Sequence, residues 1–462
     1  MERSTSKLVD YALAFSSQPL PEATIHACKR SIIDTLGCAF GGYHDPMSRM
    51  ARQLAANRAS TPGATVWGTT APTSQEAAAF ANGVMSRVLD MSDTYLGKSG
   101  GHPCDAIAGI MAVGEAAGAS GMDIIEAVSL AYEIYCSFSD SVDLNTSGWD
   151  HPVYGGVACA LGIGSLLGFS REQLANAVSL SITPNMALYQ TRQGEPSSWR
   201  SCAAANATRN AIFAAQLARE GCVGPAEVFE GKSGLWRAVG EFEWAFSPAG
   251  APHKITRTHM KRFPVCYFGQ SAIWAAIQAS KLVNGNDITE IEVSTFRKAV
   301  AAMGSEPSRW APETRESADH SLPFVVATGL LHGEINSSSY QQERLSDERI
   351  VSLMGKTRVF EDPELTAQFP DSSACRLVIR SGSREPLVVQ VQHAKGHASF
   401  PMHDAEVEAK FLELFQAYGD AQHAASILNA LWRIEEFPDI RQLAQVMAKP
   451  IDALANEGIS KC

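Results

Sequence analysis

The stretch Leu89–Asp105, LDMSDTYLGKSGGHPCD, gathers side chains suited to moving protons: the carboxylates of Asp90 and Asp93, the Thr94 hydroxyl and the His102 imidazole. Such a set can take a proton from a carbon or oxygen acid and return it near neutral pH. Gly97, Gly100 and Gly101, with Lys98 among them, give the stretch the freedom of a loop, and Pro103 restricts the backbone of His102. Apolar, alanine-rich runs flank it and are predicted as helices over Ala78–Val88 and Ala106–Ala117. A polar loop between two buried helices is a good place to hold acid–base groups still. The plainer reading is that Asp93 and Thr94 cap a helix while His102 fills a turn.

Four further places could carry chemistry. Asp150-His151-Pro152 stands at a helix entrance, where free N–H groups favour an anion; the plain alternative is a capping loop. Thr191–Arg200, TRQGEPSSWR, sets Arg192 and Arg200 beside polar residues, and Arg200 could grip a carboxylate bidentately or merely form a surface ion pair. Lys261-Arg262-Phe263-Pro264-Val265-Cys266-Tyr267 places two cations and a thiol where composition changes, as at a cleft edge, although a cysteine also packs well in a core. Asp319-His320-Ser321 reads as a helix cap with a site role open. His393, His397 and His403 suggest a metal, but the first falls in a predicted strand and the last follows Pro401, so no metal site is expected. There is no G-x-G-x-x-G after a strand, no P-loop and no G-x-S-x-G, which leaves cofactor-free acid–base chemistry.

Two kinds of element must position these groups. From Pro21 to about Ala245 the pattern is helical and rich in small residues, with predicted helices that include Glu22–Phe40, Thr73–Val88, Asp123–Val142, Val153–Leu167 and Ala203–Glu220. Thr73 and Glu76 have the spacing of a capping box, and Gly118, Gly168 and Gly221 suit left-handed C-caps. After Pro264 the alternation of Ile288–Phe296 predicts a strand, and Arg376–Ile379 with Leu387–His393 predicts a hairpin across Arg380–Pro386. Helices return at Ala405–Ala417 and His423–Leu431. The expected class is mainly α with an α+β second domain: a discontinuous helical domain of residues 1–265 and 405–462, and a smaller α+β lid of residues 266–404. A site between them would be shut from water as they approach.

With 462 residues the chain exceeds one ordinary core, and 45% hydrophobic against 19% charged residues marks a globular protein. A net charge of −11 without a basic run argues against nucleic acid or an anionic membrane as partner, so any cations that cluster do so for a local anion. The sequence shows neither a signal peptide nor a membrane-spanning run, and its ten cysteines are scattered without a C-x-x-C pair, which gives a cytoplasmic, reduced expectation.

With these residues in hand, the chain resembles the MmgE/PrpD family over nearly its whole length. The resemblance rests on D-x-x-D-T…G-H-P-x-D (Asp90, Asp93, Thr94, His102, Asp105), the G-W-x-H-P step at His151, and Ala203–Pro225. K-R-F-P at Lys261–Pro264, A-D-H-S-L-P at Ala318–Pro323 and K-G-H at Lys395–His397 complete it. It implies a large discontinuous helical domain, an α+β lid, a homodimer, no metal or organic cofactor, and activity on a small polycarboxylate. The family's members include 2-methylcitrate dehydratase, cis-aconitate decarboxylase and iminodisuccinate epimerase. Asp90, Thr94 and His102 match its site loop and His151 its second histidine. Arg200 stands where the decarboxylase branch has a lysine, and Cys266 where it has a histidine. Arginine does not readily release a proton, which argues against the decarboxylase.

The expectation is therefore a cofactor-independent hydro-lyase for a 2-methylcitrate-like hydroxy-polycarboxylate. His102, oriented by Asp90, takes the α proton, and His151 or Cys266 protonates the leaving hydroxyl. Thr94, Arg192, Arg200, Lys261 and Arg262 bind substrate. The alternatives are an epimerase or decarboxylase of a small di- or tricarboxylate, or a non-catalytic carboxylate binder.

Overall fold

Alanine and glycine on helix faces decide how the N-terminal part packs. The structure is a computed structural model describing residues 1–448 apart from 59, 195, 196, 249, 383 and 384. The expected hairpin turn at 383–384, two positions of the Thr191–Arg200 segment and the 449–462 end of the expected helical domain lie outside the described residues. Helices run over α1 (Arg3–Ser16), α2 (Glu22–Gly41), α3 (Pro46–Ala56), α4 (Gln75–Arg87), α5 (Asp105–Ala117), α6 (Gly121–Ser141), α7 (Pro152–Leu166), α8 (Arg171–Ile182) and α9 (Trp199–Arg219). A Cβ on Gly83 would lie 2.9 Å from that of Ala205, and one on Gly109 would lie 2.4 Å from Thr208 Cγ2. Helices α4 and α5 thus meet α9 more closely than side chains allow, while α7 is buried along Pro152–Gly164 at the centre.

These helices form one hydrophobic core from Leu8 to Met260, which α13 (Asp404–Phe415), α14 (Ala421–Trp432) and α15 (Arg441–Met447) rejoin. Buried Lys410 on α13 anchors the return: its Nζ meets Asp34 Oδ1 at 2.5 Å and donates to the Met91 carbonyl, in the site loop, at 2.9 Å. Burial pushes the Asp34 carboxyl up, against the nearby Lys410 charge. A second core from Phe263 to Val391 packs α10 (Gln270–Ser280), α11 (Leu322–His332) and α12 (Glu348–Gly355) on a four-stranded sheet. That sheet has the order β2 (Thr357–Glu361), β1 (Ile288–Thr295), β3 (Cys375–Ser381), β4 (Leu387–Val391). Strand β2 runs parallel to β1 and the other pairs are antiparallel, with Val293 opposite Leu377 and Leu377 opposite Val389 on the buried face. The architecture is a helical domain plus an α+β domain. Among the described residues no helix is long and apolar enough to cross a membrane.

Local chemistry moves several expected boundaries. Ser74, not Thr73, caps α4 by accepting from Ala77 N, because the Thr73 hydroxyl is spent on the Ala55 and Arg58 carbonyls. Helix α6 starts two residues before Asp123, since Ser120 and Asp123 form a capping box. Helix α9 begins at Trp199, so Arg200 lies in its first turn. Strand β2 was not anticipated: TRVFE alternates weakly, and only its pairing with β1 makes it a strand. His393 lies beyond the end of β4, not within a strand.

Candidate active site

The loop between α4 and α5 is held from three sides. Its middle folds back as a two-residue antiparallel pairing, Tyr95–Leu96 with Gly100–Gly101. Tyr95 donates to Asp140 at 2.9 Å, and Tyr135 Oη accepts the His102 N–H at 2.9 Å. Gly101 allows that contact, because a Cβ there would sit 1.9 Å from Tyr135 Oη. Thr94 and His259 exchange backbone hydrogen bonds of 2.8 Å, which carries the chain two residues later to Lys261. Asp90 has φ of 49°, an uncommon left-handed conformation for a residue with a side chain. Lys261 holds it there, donating from buried Nζ to the Asp90 carbonyl at 2.8 Å and to its carboxylate at 2.9 Å.

His102 is oriented by backbone, which corrects the expectation that Asp90 orients it. Its Nδ1 lies 2.5 Å from the Asp93 carbonyl, an acceptor only, so Nδ1 carries the proton and Nε2 carries the lone pair. Thr94 Oγ1 lies 3.5 Å from the same nitrogen, and among the described residues nothing bonds Nε2. Burial holds the imidazole's pKa well below its ordinary value, with the charges of Arg87, Lys261 and His151 acting the same way and Asp90 opposing them. His102 is therefore a neutral base. Asp93 faces the core rather than the cavity: it accepts from Tyr132 Oη at 2.7 Å and from Cys104 N at 3.3 Å, nearer the plain capping reading. Burial pushes its carboxyl up to about 6.

His151 is the next group along. Its ring centre is 5.2 Å from that of His102, edge to face. Nδ1 lies 3.0 Å from Asp150 Oδ1, and Nε2 is buried without a hydrogen-bond partner, 3.8 Å from Asp105. Asp150 also accepts from Arg192 Nε at 2.8 Å. Burial alone would raise Asp150, but Arg192 and His151 together hold it well below the carboxylate range. On the side of the α+β domain, Arg200 donates to His320 Nε2 at 2.6 Å, and His320 Nδ1 lies 2.5 Å from Asp319.

These groups line one cavity of about 630 Å³ between the two cores, a size that suits a small ligand. Asp90, Thr94, His102, His151, Arg192, Arg200, Lys261 and Cys266 all reach it. Arg262 does not: it pairs at 3.2 Å with Glu413 on α13 and is partly exposed, because the backbone at this step sends neighbouring side chains to opposite sides. The sequence reading missed Arg87 and Arg309. Arg87 ends α4 and is buried 3.5 Å from Asp105 and 3.8 Å from Asp90; a cation closing an apolar helix just before the site loop was the available signal. Arg309 is 4% exposed and carries Nε and Nη1 without partners, as Arg192 does at Nη2. Burial and the Arg200 charge lower its pKa, and a bound anion would act in the opposite sense. Nothing local in the sequence marks it.

A metal fits poorly among the closest-set donors. Asp90, Asp319 and His320 bring one atom each within 4.8 Å of one another, but Lys261, His320 and Arg200 already engage them. His393 and His397 stack with ring centres 4.2 Å apart, whereas the His403 N–H donates to Glu406. What the arrangement can do is hold an anion between unpaired guanidiniums beside a neutral imidazole base.

A helical domain and an α+β domain with a cavity of acid–base groups between their cores define the class of protein. Residues 6–247 match the MmgE/PrpD N-terminal domain and residues 263–435 the MmgE/PrpD C-terminal domain. The chain belongs to the MmgE/PrpD family. It is 28% identical over 421 residues to the 2-methylcitrate dehydratase of Escherichia coli (strain K12), covering 86% of each chain. It is also 28% identical to the 2-methylcitrate dehydratase of Cupriavidus necator, over 79% of this chain and 78% of that one. A cis-aconitate decarboxylase-like protein of Aspergillus oryzae is 22% identical over 96% of this chain and 97% of its own.

Proposed function

We propose that the protein is a hydro-lyase that dehydrates a 2-methylcitrate-like hydroxy-polycarboxylate by acid–base elimination. The observation that carries this reading is the neutral His102, with Nε2 free, in a cavity where buried guanidinium N–H groups of Arg192 and Arg309 lack partners. Unpaired buried donors favour a ligand that brings acceptors, and carboxylates fit their forked geometry. With the carboxylates held by Arg192, Arg309, Arg200 and Lys261, the carbon α to one of them presents its hydrogen to His102 Nε2. Guanidinium and ammonium groups stabilise the charge that develops on that carboxylate as the proton leaves. His151, beside His102, protonates the departing hydroxyl. A base and an acid on neighbouring rings would remove H and OH from one face of the substrate. Side chains supply both proton transfers, so the reading needs no metal or organic cofactor.

The test is a rise in ultraviolet absorbance from a conjugated alkene acid when the protein meets 2-methylcitrate, citrate or isocitrate with a chelator present. Silence with every hydroxy acid would sink the dehydratase.

One observation favours a second reading, an epimerase of a small dicarboxylate. Cys266 enters the cavity from the lid, while His102 enters from the helical domain. Two such groups could exchange one proton from opposite faces of a carbon. Deuterium appearing in recovered substrate, with no alkene formed, would select it.

A further inference from the structure

Thiol, imidazole and carboxylate follow one another along the lid wall as Cys266, His320 and Asp319. The Cys266 N–H donates to the Asp319 carbonyl at 3.0 Å, which ties the two segments together. The Cys266 and His320 side chains both line the cavity, and His320 Nδ1 lies 2.5 Å from Asp319 Oδ1. Arg200 donates to His320 Nε2 at 2.6 Å, so a substrate carboxylate that draws Arg200 away leaves this nitrogen free to take the thiol proton. These relations are the ones that activate a thiol: an imidazole takes its proton and a carboxylate holds the ring.

A second observation points to a ligand at the same place. Arg309, 4% exposed, lines this cavity with Nε and Nη1 unpartnered. The charged and titratable groups that face the thiol are His320, Lys261 and Arg309, with Asp90 and Tyr189 acting in the opposite sense. Burial would raise the thiol's pKa, but the charges of His320 and Lys261 outweigh it and hold it below its ordinary value. Burial instead pushes the thiols of Cys104, Cys136 and Cys159 up.

We propose that Cys266 is a nucleophile toward α,β-unsaturated acids carrying at least two carboxylates, the kind of alkene an elimination in this cavity yields. The choice of electrophile rests on the elimination reading above. In the step, Sγ bonds to the β carbon and the alkene π pair shifts to the α carbon. That carbon takes the proton His320 removed from Sγ. The product is a thioether, no electron donor or acceptor is consumed, and the reverse reaction releases the alkene. The adduct occupies the cavity and so makes the alkene a covalent, reversible inhibitor.

The test alkylates the folded protein at pH 7 with iodoacetate and, separately, iodoacetamide, and follows each cysteine by peptide mass spectrometry. Exposed Cys222 serves as the internal reference. Cys266 should react with iodoacetate about tenfold faster than Cys222, as expected for a thiolate-rich thiol. Its margin should shrink with iodoacetamide, which has no charge for the cations to attract. His320→Gln should slow Cys266 about tenfold and leave Cys222 unchanged. In the wild-type protein the Cys266 rate should be half-maximal below the ordinary thiol value of about 8.5. Equal rates at both cysteines, or a half-maximum at or above that value, would overturn the activated thiol. Fumarate and cis-aconitate should each then leave one adduct on Cys266, absent from Cys266→Ala. No adduct in protein that keeps its iodoacetate selectivity overturns the addition. An adduct on protein that dehydrates no hydroxy acid overturns the elimination reading and leaves this one standing.

Discussion

At the scale of the residue, a backbone carbonyl sets the tautomer of His102. Because the Asp93 carbonyl takes the Nδ1 proton, Nε2 of His102 is left as the acceptor, and burial beside Arg87 and Lys261 keeps the ring neutral. His102→Ala should lower kcat by roughly 10² or more while leaving the fold intact; near-normal turnover in a folded variant would remove it from the mechanism. A depressed pKa keeps the base form present as pH falls, so the acid limb of kcat/KM set by His102 should lie below the ordinary value of about 6.5. A limb at that value would assign it to another group. Arg309→Gln should raise KM for a polycarboxylate by about 10- to 100-fold with a smaller effect on kcat, the range of a charged hydrogen bond. A lost kcat with unchanged KM would contradict an anchoring role.

At the scale of the element, the loop between α4 and α5 works because its neighbours come within contact distance. Gly101→Ala puts a methyl 1.9 Å from Tyr135 Oη and 2.9 Å from His151 Cβ, so it should break the His102 N–H bond, lower Tm and reduce kcat together. Asp93 fastens the same loop to α6 through Tyr132. Burial favours its neutral form, so its stabilising contribution is present in full below about pH 4 and is lost as pH rises through about 6. Asp93→Asn should remove that fall, about 3 kcal/mol, from the pH dependence of unfolding free energy. An identical pH dependence in the variant would show that another group is responsible.

At the scale of the whole molecule, two cores contribute opposite walls to one cavity, and Lys261 crosses from the segment between them to the site loop. Arg262, one residue on, pairs with Glu413 where both are solvent-accessible. Arg262→Ala should therefore cost less than about 1 kcal/mol of stability and leave KM unchanged, a control against which Arg309→Gln can be read. A carboxylate that closes the two walls binds only the folded chain. At 100 times its Kd it should add about 2.7 kcal/mol of stability, visible as a raised Tm.

Local order was legible wherever one helix or one loop decided it. Small-residue periodicity marked α2, α4, α5, α7 and α9, Gly118 and Gly221 marked chain reversals at positive φ, and the residues of the site loop stood together in sequence. So were Arg192, Arg200, Lys261 and Cys266 as candidates, since cations beside polar turns stand out in an acidic chain. Tertiary structure alone decided the direction of each side chain. Lys261 and Arg262 are adjacent and chemically alike, yet one is buried on Asp90 and the other meets Glu413, because only the fold says which side of the backbone faces the cavity. It also decided that Asp93 offers His102 its carbonyl rather than its carboxylate, that TRVFE becomes a strand, and that Arg309 ends unpaired beside Arg200. Each of these depends on how the folded chain turns its groups toward one another, and burial away from water is what gives such meetings their energy.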